Sequence, residues 1–287
     1  MAFVRETTRS SIRYSFMEHL ARSVLFSRYA DNVLLAMIAG YSAYFDASGH
    51  PDRRSVLTVA GFASTVKKWT RFDLGWNEIL KSEGIKVSHM TDFVSSQGEF
   101  AVGWKGETSK RKAFIDRLAQ CIKLNVNKSF RTTLVIADFN SVNELYQLEE
   151  FLGRPYALCS MVCTCTLRQW AQRKRAGKRL LYYFEDGDKD KGNFEQMHRA
   201  AYRVAPKFLD KSEAIAFQAA DFAGWKIRSN IEQAIKSDHT LEQGIRLLQS
   251  VAMLRRIPKD AGVINRDVLL RYCAAWNVAK REARLRT

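Results

Sequence analysis

Tyr41-Ser-Ala-Tyr-Phe-Asp46-Ala-Ser-Gly49 is a short apolar run that stops at a carboxylate and a turn. Such a run reads as a β-strand, and the strand brings Asp46 to its C-terminal tip. A second delivery follows at Arg179-Leu-Leu-Tyr-Tyr-Phe-Glu185-Asp186-Gly187-Asp188, where another β-prone run ends abruptly in acids. A third acid, Asp221, lies in Gln218-Ala-Ala-Asp221-Phe-Ala-Gly-Trp225, an apolar helical stretch in which an unpartnered charge is costly to bury.

Around these three stretches the chain alternates between strand-like and helix-like patterns. Residues 55–63 pair with the first run as an antiparallel hairpin. From Val66 to Glu83, Trp69, Phe72, Trp76, Ile79 and Leu80 recur at spacings of three or four, the stripe of an amphipathic helix that Gly84 ends. Residues 85–90 read as a third β-like segment leading to Thr91-Asp92-Phe93, and 95–106 as a surface loop. A helix is expected over 109–124, and a strand over 130–137 that ends in Asp138 before a polar break at 140–143. Pro155 suits the first turn of a long helix through Gln172, closed by Gly177. Strand 180–184, a helix at 194–203, a short strand at Phe208-Leu209, a helix over 213–235 and a basic helical tail complete the reading. The pattern predicts one α/β sheet with helices on its faces, in a single domain spanning 37–287.

Residues 1–36 look foreign to that domain. They hold Arg5, Arg9, Arg13, Arg22 and Arg28, several serines and few acids. They read as an N-terminal extension, either disordered or the product of an upstream start, with Met37 as the alternative first residue.

The three acids suggest a chemistry. Hard divalent cations such as Mg²⁺ or Mn²⁺ prefer carboxylate oxygens, and two of them about 4 Å apart can activate water and neutralise a leaving oxygen in phosphodiester hydrolysis. Asp46, an acid from the 185–188 turn, and Asp221 are the right residue type for such ligands. Each also has a structural alternative. Asp46 can cap the turn near Ser48, the 186–190 stretch can be a solvated turn, and Asp221 can pair with an arginine. The acidic turn is not an EF-hand loop, because Lys191 stands where that pattern needs Gly. His89 and Asp92 offer a proton carrier or a further ligand, or a structural strand end. Ser48 and His50 do not suggest a nucleophilic hydrolase, since neighbours in sequence seldom reach Ser–His geometry and no Gly-x-Ser-x-Gly elbow is present.

The 287 residues are 46% hydrophobic, ample for a packed core. The 46 Lys and Arg outnumber the 30 Asp and Glu to give a formal net charge of +16, which favours polyanionic partners such as DNA or RNA. No acid occurs from Phe151 to Phe184, and Arg168, Arg173, Lys174, Arg175 and Lys178 in that window are the expected phosphate contacts, or else the exposed cationic end of a helix. No apolar run reaches the length of about 18 residues that a membrane span needs. Five cysteines without Cys-x-x-Cys spacing point to a reducing compartment, the cytoplasm, and to small buried helix residues at Cys159, Cys163 and Cys165.

Taken together, these residues resemble the bacterial family catalogued as domain of unknown function 3800. The resemblance runs from about Tyr41 to Asn230 and rests on four motifs: Phe45-Asp46-Ala-Ser-Gly49, Ser88-His89-Met-Thr-Asp92-Phe93, Glu185-Asp186 and Gln218-Ala-Ala-Asp221. Members often carry Asp-Glu-Ser-Gly at the first motif, where this chain has Ala47. Successive strand residues face opposite ways, so that Glu would not join Asp46 on a shared ligand. The resemblance implies a ribonuclease H-like mixed β-sheet flanked by helices, with a helical insertion and a helical C-terminal tail. It also implies metal ligands at Asp46, Asp186 or Glu185, and Asp221. The family has links to phage defence and mobile elements. The expected function is a metal-dependent nuclease with Asp46, Asp186 and Asp221 as its metal ligands, or alternatively a non-catalytic nucleic-acid-binding component of a defence complex.

Overall fold

The computed structural model describes residues 40–50, 52, 54–175, 180–236, 257 and 259–285. Six strands form one sheet: β1 (Tyr41–Ser48), β2 (Val56–Thr65), β3 (Lys128–Val135), β4 (Leu180–Glu185), β5 (Lys207–Leu209) and β6 (Lys259–Ile264). Their spatial order is β5-β4-β1-β2-β3-β6. The first three strands make an antiparallel meander, while β4 runs parallel to β1, β5 to β4 and β6 to β3. This is a mixed α/β sheet with helices on its faces, as the sequence pattern predicts.

The helices are α1 (Val66–Ser82), α2 (Met90–Ser95), α3 (Thr108–Asn125), α4 (Ile136–Tyr146), α5 (Pro155–Arg173), α6 (Lys191–Tyr202), α7 (Ala216–Lys236) and α8 (Arg266–Leu285). They cover both faces of the sheet. On one face Tyr44 and Phe62 pack with Trp69, Phe72 and Trp76 of α1 and Phe217 and Phe222 of α7. On the other, Phe45, Phe130 and Phe184 pack with Leu167 and Trp170 of α5 and Phe194 of α6. β2 is buried from Val56 to Ser64, as expected of a strand covered on both sides.

Side chains alternate along each strand, and this alternation positions the acids. On β1, Tyr44 faces α7 while Ala43 and Phe45 face α5, so Asp46 falls on the α7 face. The parallel register pairs Tyr44 with Tyr183 and Phe45 with Phe184, and both ring pairs stack, at 5.2 Å and 4.9 Å. One step further along, Asp46 therefore meets Glu185, while Asp186 turns toward the opposite side.

The structure corrects several sequence expectations. Of the three cysteines of α5, Cys159 and Cys163 are buried as expected, but Cys165 lies on the outer side of the helix and is exposed. Residues 85–89 form no strand, because side chains take their backbone donors instead: Lys86 N–H binds Glu99, Ser88 N–H binds Gln218 and Met90 N–H binds Asp221. The stretch 95–106 is not simply a surface loop, since Phe100 and Trp104 are buried against Phe93 and Phe114. The expected strand 130–137 is displaced to Lys128–Val135, and the expected polar break at 140–143 is helical within α4. There Ile136, Phe139 and Val142 form a buried stripe that overrides the polar residues between them. The basic tail is not wholly helical: its first part, β6, adds an edge strand that Lys128 anchors through Asp260 at 2.9 Å. Residues 1–36, Gly177, Lys178 and Arg179 lie outside the described residues. No helix among the described residues is long and apolar enough to cross a membrane.

Candidate active site

Three carboxylates converge at the C-terminal ends of β1 and β4, on the face covered by α7. Their common neighbour is Lys211, from the turn between β5 and α7. Its Nζ lies 3.1 Å from Asp46 Oδ2, 3.4 Å from Glu185 Oε1 and 3.5 Å from Asp221 Oδ2. Asp46 and Asp221 are buried, at 4% and 7% exposure, so charge that water would otherwise stabilise must be balanced from within.

Local structure fixes each acid. Gly49, at φ +95°, lets the chain turn sharply after β1, and a Cβ there would sit 2.5 Å from the Val56 carbonyl oxygen. Asp221 lies in the second turn of α7, and Gly224, one turn on, lets that helix press close to Ser48. Asp221 Oδ2 accepts the Met90 N–H at 3.0 Å. Gln218, three residues earlier and on the same side of the helix, accepts the Ser88 N–H at 2.8 Å and the Trp76 indole N–H at 3.0 Å. The Gln-Ala-Ala-Asp motif thus clamps the segment before α2 and holds His89 near Asp221.

Burial pushes the Asp46 carboxyl well above the usual carboxylate range; the Lys211 charge opposes that shift, and Glu185 adds to it. Burial likewise raises Asp221, against Lys211 and the Met90 N–H, with Asp46 adding to the rise. Burial alone would lower the Lys211 ammonium, but Asp46, Asp221 and Glu185 outweigh it and push its pKa up. The cluster therefore gathers three carboxyl groups around one internal cation.

Beside it opens a cavity of about 350 Å³, lined by Asp46, His50, Tyr156, Glu185, Asp186 and Asp188. Asp186 reaches this cavity but is not the β4 acid of the cluster. It pairs with Lys191 at 2.7 Å and is about half exposed. Strand alternation is the reason: Glu185 shares the face of Asp46, and Asp186 does not. His89 is partly exposed and lies outside the cluster, its Nδ1 3.6 Å from Asp92 Oδ2. Ser48 accepts a hydrogen bond from Arg228 Nε at 3.0 Å, and Arg228 also binds Glu232.

The expected phosphate contacts stand apart. Tyr156, in the first turn of α5, borders the cavity, whereas Arg168 and Arg173 lie twelve and seventeen residues further along that helix. At 1.5 Å per residue they are about 18 Å and 26 Å away. Arg168 rests over the Tyr202 ring, Arg173 sits 3.9 Å from Asp260, and Lys174 and Arg175 are exposed at the helix end. Lys178 lies outside the described residues. Closer to the cavity stand Lys211, against its lining acids Asp46 and Glu185, and Lys191 at the start of α6, paired with its lining acid Asp186.

Lys211 and Gln218 are the two site residues that the sequence reading did not assign. A lysine in a polar turn carries no sign of burial. The glutamine had a signal, since it is a polar residue one helical turn before Asp221 in an apolar stretch.

A hard divalent cation suits the donor set, which is three carboxylates from three separate elements. The present spacing suits an ammonium. Metal–oxygen distances of about 2.0–2.6 Å would require the carboxylates to draw inward, and no group of three or more His, Cys, Asp or Glu among the described residues has that closer geometry.

No family model matches the chain, and no curated protein matches it. Among solved structures, a chain of the PCNA:RNase HII complex from Archaeoglobus fulgidus aligns over 76% of this chain and 91% of that one, at 13% identity and a TM-score of 0.35. That likeness is too distant to bear on activity.

Proposed function

We propose that this protein is a Mg²⁺- or Mn²⁺-dependent nuclease, or a related phosphodiester-processing protein, of the domain-of-unknown-function-3800 type. The observation that carries this reading is the convergence of Asp46, Glu185 and Asp221 around one point, beside an open cavity. These three residues would hold the metal, which supplies charge neutralisation at the phosphate and a water of lowered pKa. The remaining steps belong to the chain. Gln218 and Asp221 together fix the Ser88–Met90 backbone, which keeps His89 at the edge of the site. Lys191, paired with the cavity-lining Asp186, can meet phosphate oxygens there. The net charge of +16 draws polyanions in, and Arg168 and Arg173 extend the contact along α5.

A second reading is favoured by Lys211. Because an internal ammonium already bridges the three acids, the cluster can be structural, in a protein that binds nucleic acid without cutting it. Cleavage separates the two. Purified protein is incubated with plasmid, linear duplex, single-stranded DNA and structured RNA, in Mg²⁺, Mn²⁺ or EDTA, beside Asp46→Asn and Asp221→Asn. Metal-dependent cleavage that disappears in both variants is the expected result. Binding that persists in EDTA and in both variants, with nothing cut, would establish the second reading.

A further inference from the structure

Lys211 Nζ occupies the point on which the three carboxylates converge, the same point that a bound cation would take. An ammonium and a divalent metal cannot share it, because like charges a few ångströms apart in a poorly hydrated site repel strongly. We propose that Lys211 is an internal counter-ion that competes with the metal. In the metal-free protein it holds Asp46, Glu185 and Asp221 together, and it withdraws when a divalent cation binds. This inference rests on the metal-centre reading above.

The geometry says how the withdrawal occurs. The turn carrying Lys211 is pinned at its backbone: Asp210 Oδ1 accepts from Ser212 N–H at 2.8 Å and Ser212 Oγ–H at 2.6 Å, and Asp210 N–H donates to Glu213 Oε2 at 2.8 Å. The movement is therefore a rotation of the lysine side chain and not of the turn. The Lys211 side chain is 17% exposed, and the cavity bordered by Asp46 and Glu185 gives it space. Other nearby cations are already committed: Lys191 pairs with Asp186, and Arg228 with Ser48 and Glu232.

Competition makes two observables move in opposite directions when the charge is removed. Lys211→Met keeps most of the side-chain volume and leaves three acids without their ammonium. In the full chain its melting temperature in EDTA should fall below that of the wild type, and saturating Mn²⁺ should restore it. Its Mn²⁺ affinity by titration calorimetry should rise by about tenfold or more, whereas Lys211→Arg should stay near the wild-type value.

Reductive methylation of the wild-type protein, read by mass spectrometry on the peptide containing Lys211, tests the same idea without a variant. Labelling should be slow in EDTA and faster in Mn²⁺. Equal Mn²⁺ affinity in wild type and Lys211→Met, or labelling that Mn²⁺ leaves unchanged or slows, overturns the competition and leaves the metal centre standing. Mn²⁺ binding to neither protein removes the metal centre, and the inference with it.

Discussion

Replacing Gln218 with Ala should destabilise the protein well beyond the ordinary cost of a helix substitution. The side chain is 4% exposed, and its Oε1 accepts two buried donors, the Trp76 indole N–H at 3.0 Å and the Ser88 backbone N–H at 2.8 Å. Both donor residues are fully buried. Removing the shared acceptor orphans two groups at about 1–3 kcal/mol each, so the expected loss is about 2–6 kcal/mol. The lower end applies if a water enters the vacated space. Even 2 kcal/mol corresponds to a fall of roughly 4–8 °C in melting temperature for a domain of this size. Urea unfolding in EDTA, followed by tryptophan fluorescence, measures it directly. A double-mutant cycle with Trp76→Phe isolates the indole bond, because the second substitution costs less once its acceptor is gone; a coupling of about 1 kcal/mol is expected. The Ser88–Met90 segment also loses one of its two ties to α7, so Mn²⁺ affinity should weaken as well. A loss under about 1 kcal/mol, with no coupling to Trp76, would refute the reasoning that Gln218 is the central acceptor of this clamp.

Other consequences follow from the same geometry. Glu185→Gln should lower metal-dependent cleavage by more than the roughly 10–100-fold that an outer-shell partner supplies, whereas Asp186→Asn should stay within that range; equal losses would return Asp186 to the cluster. Burial raises the Asp46 and Asp221 carboxyls in the folded protein. The native state therefore holds more protons than the unfolded chain from the ordinary carboxylate range upward, and their contribution to stability must fall as pH rises through that window. In EDTA, the stability of wild type relative to Asp46→Asn/Asp221→Asn should accordingly decline as pH rises above the ordinary carboxylate range, and a constant difference would contradict the assigned burial effect. Arg168→Ala and Arg173→Ala should each reduce the salt dependence of nucleic-acid binding by about one ion per lost phosphate contact. They should leave Mn²⁺ affinity unchanged, and a loss of Mn²⁺ affinity would mean that the two ends of α5 are coupled.

What the sequence alone determined was local. Apolar runs ending in acids marked β1 and β4, the three-four stripe from Trp69 to Leu80 marked α1, Pro155 marked the start of α5, and an acid stranded in an apolar helix marked Asp221. These signals survive because each depends on periodicity or turn chemistry within a few residues. Period-two alternation from Tyr183 also contained the choice of Glu185 over Asp186, although it became decisive only when the register against β1 was known. The segments read incorrectly were those whose state depends on distant partners. Residues 85–89 stay out of the sheet because Gln218 and Asp221, more than a hundred positions away, take the Ser88 and Met90 donors. β6 joins an edge that β3 supplies. Lys211 is the clearest case, since nothing in Asp-Lys-Ser tells a solvated turn from a buried ammonium. Only the folding of β1, β4 and α7 around one point supplies the three charges that draw it in, because electrostatic partnership depends on distance in space and sequence separation does not specify that distance.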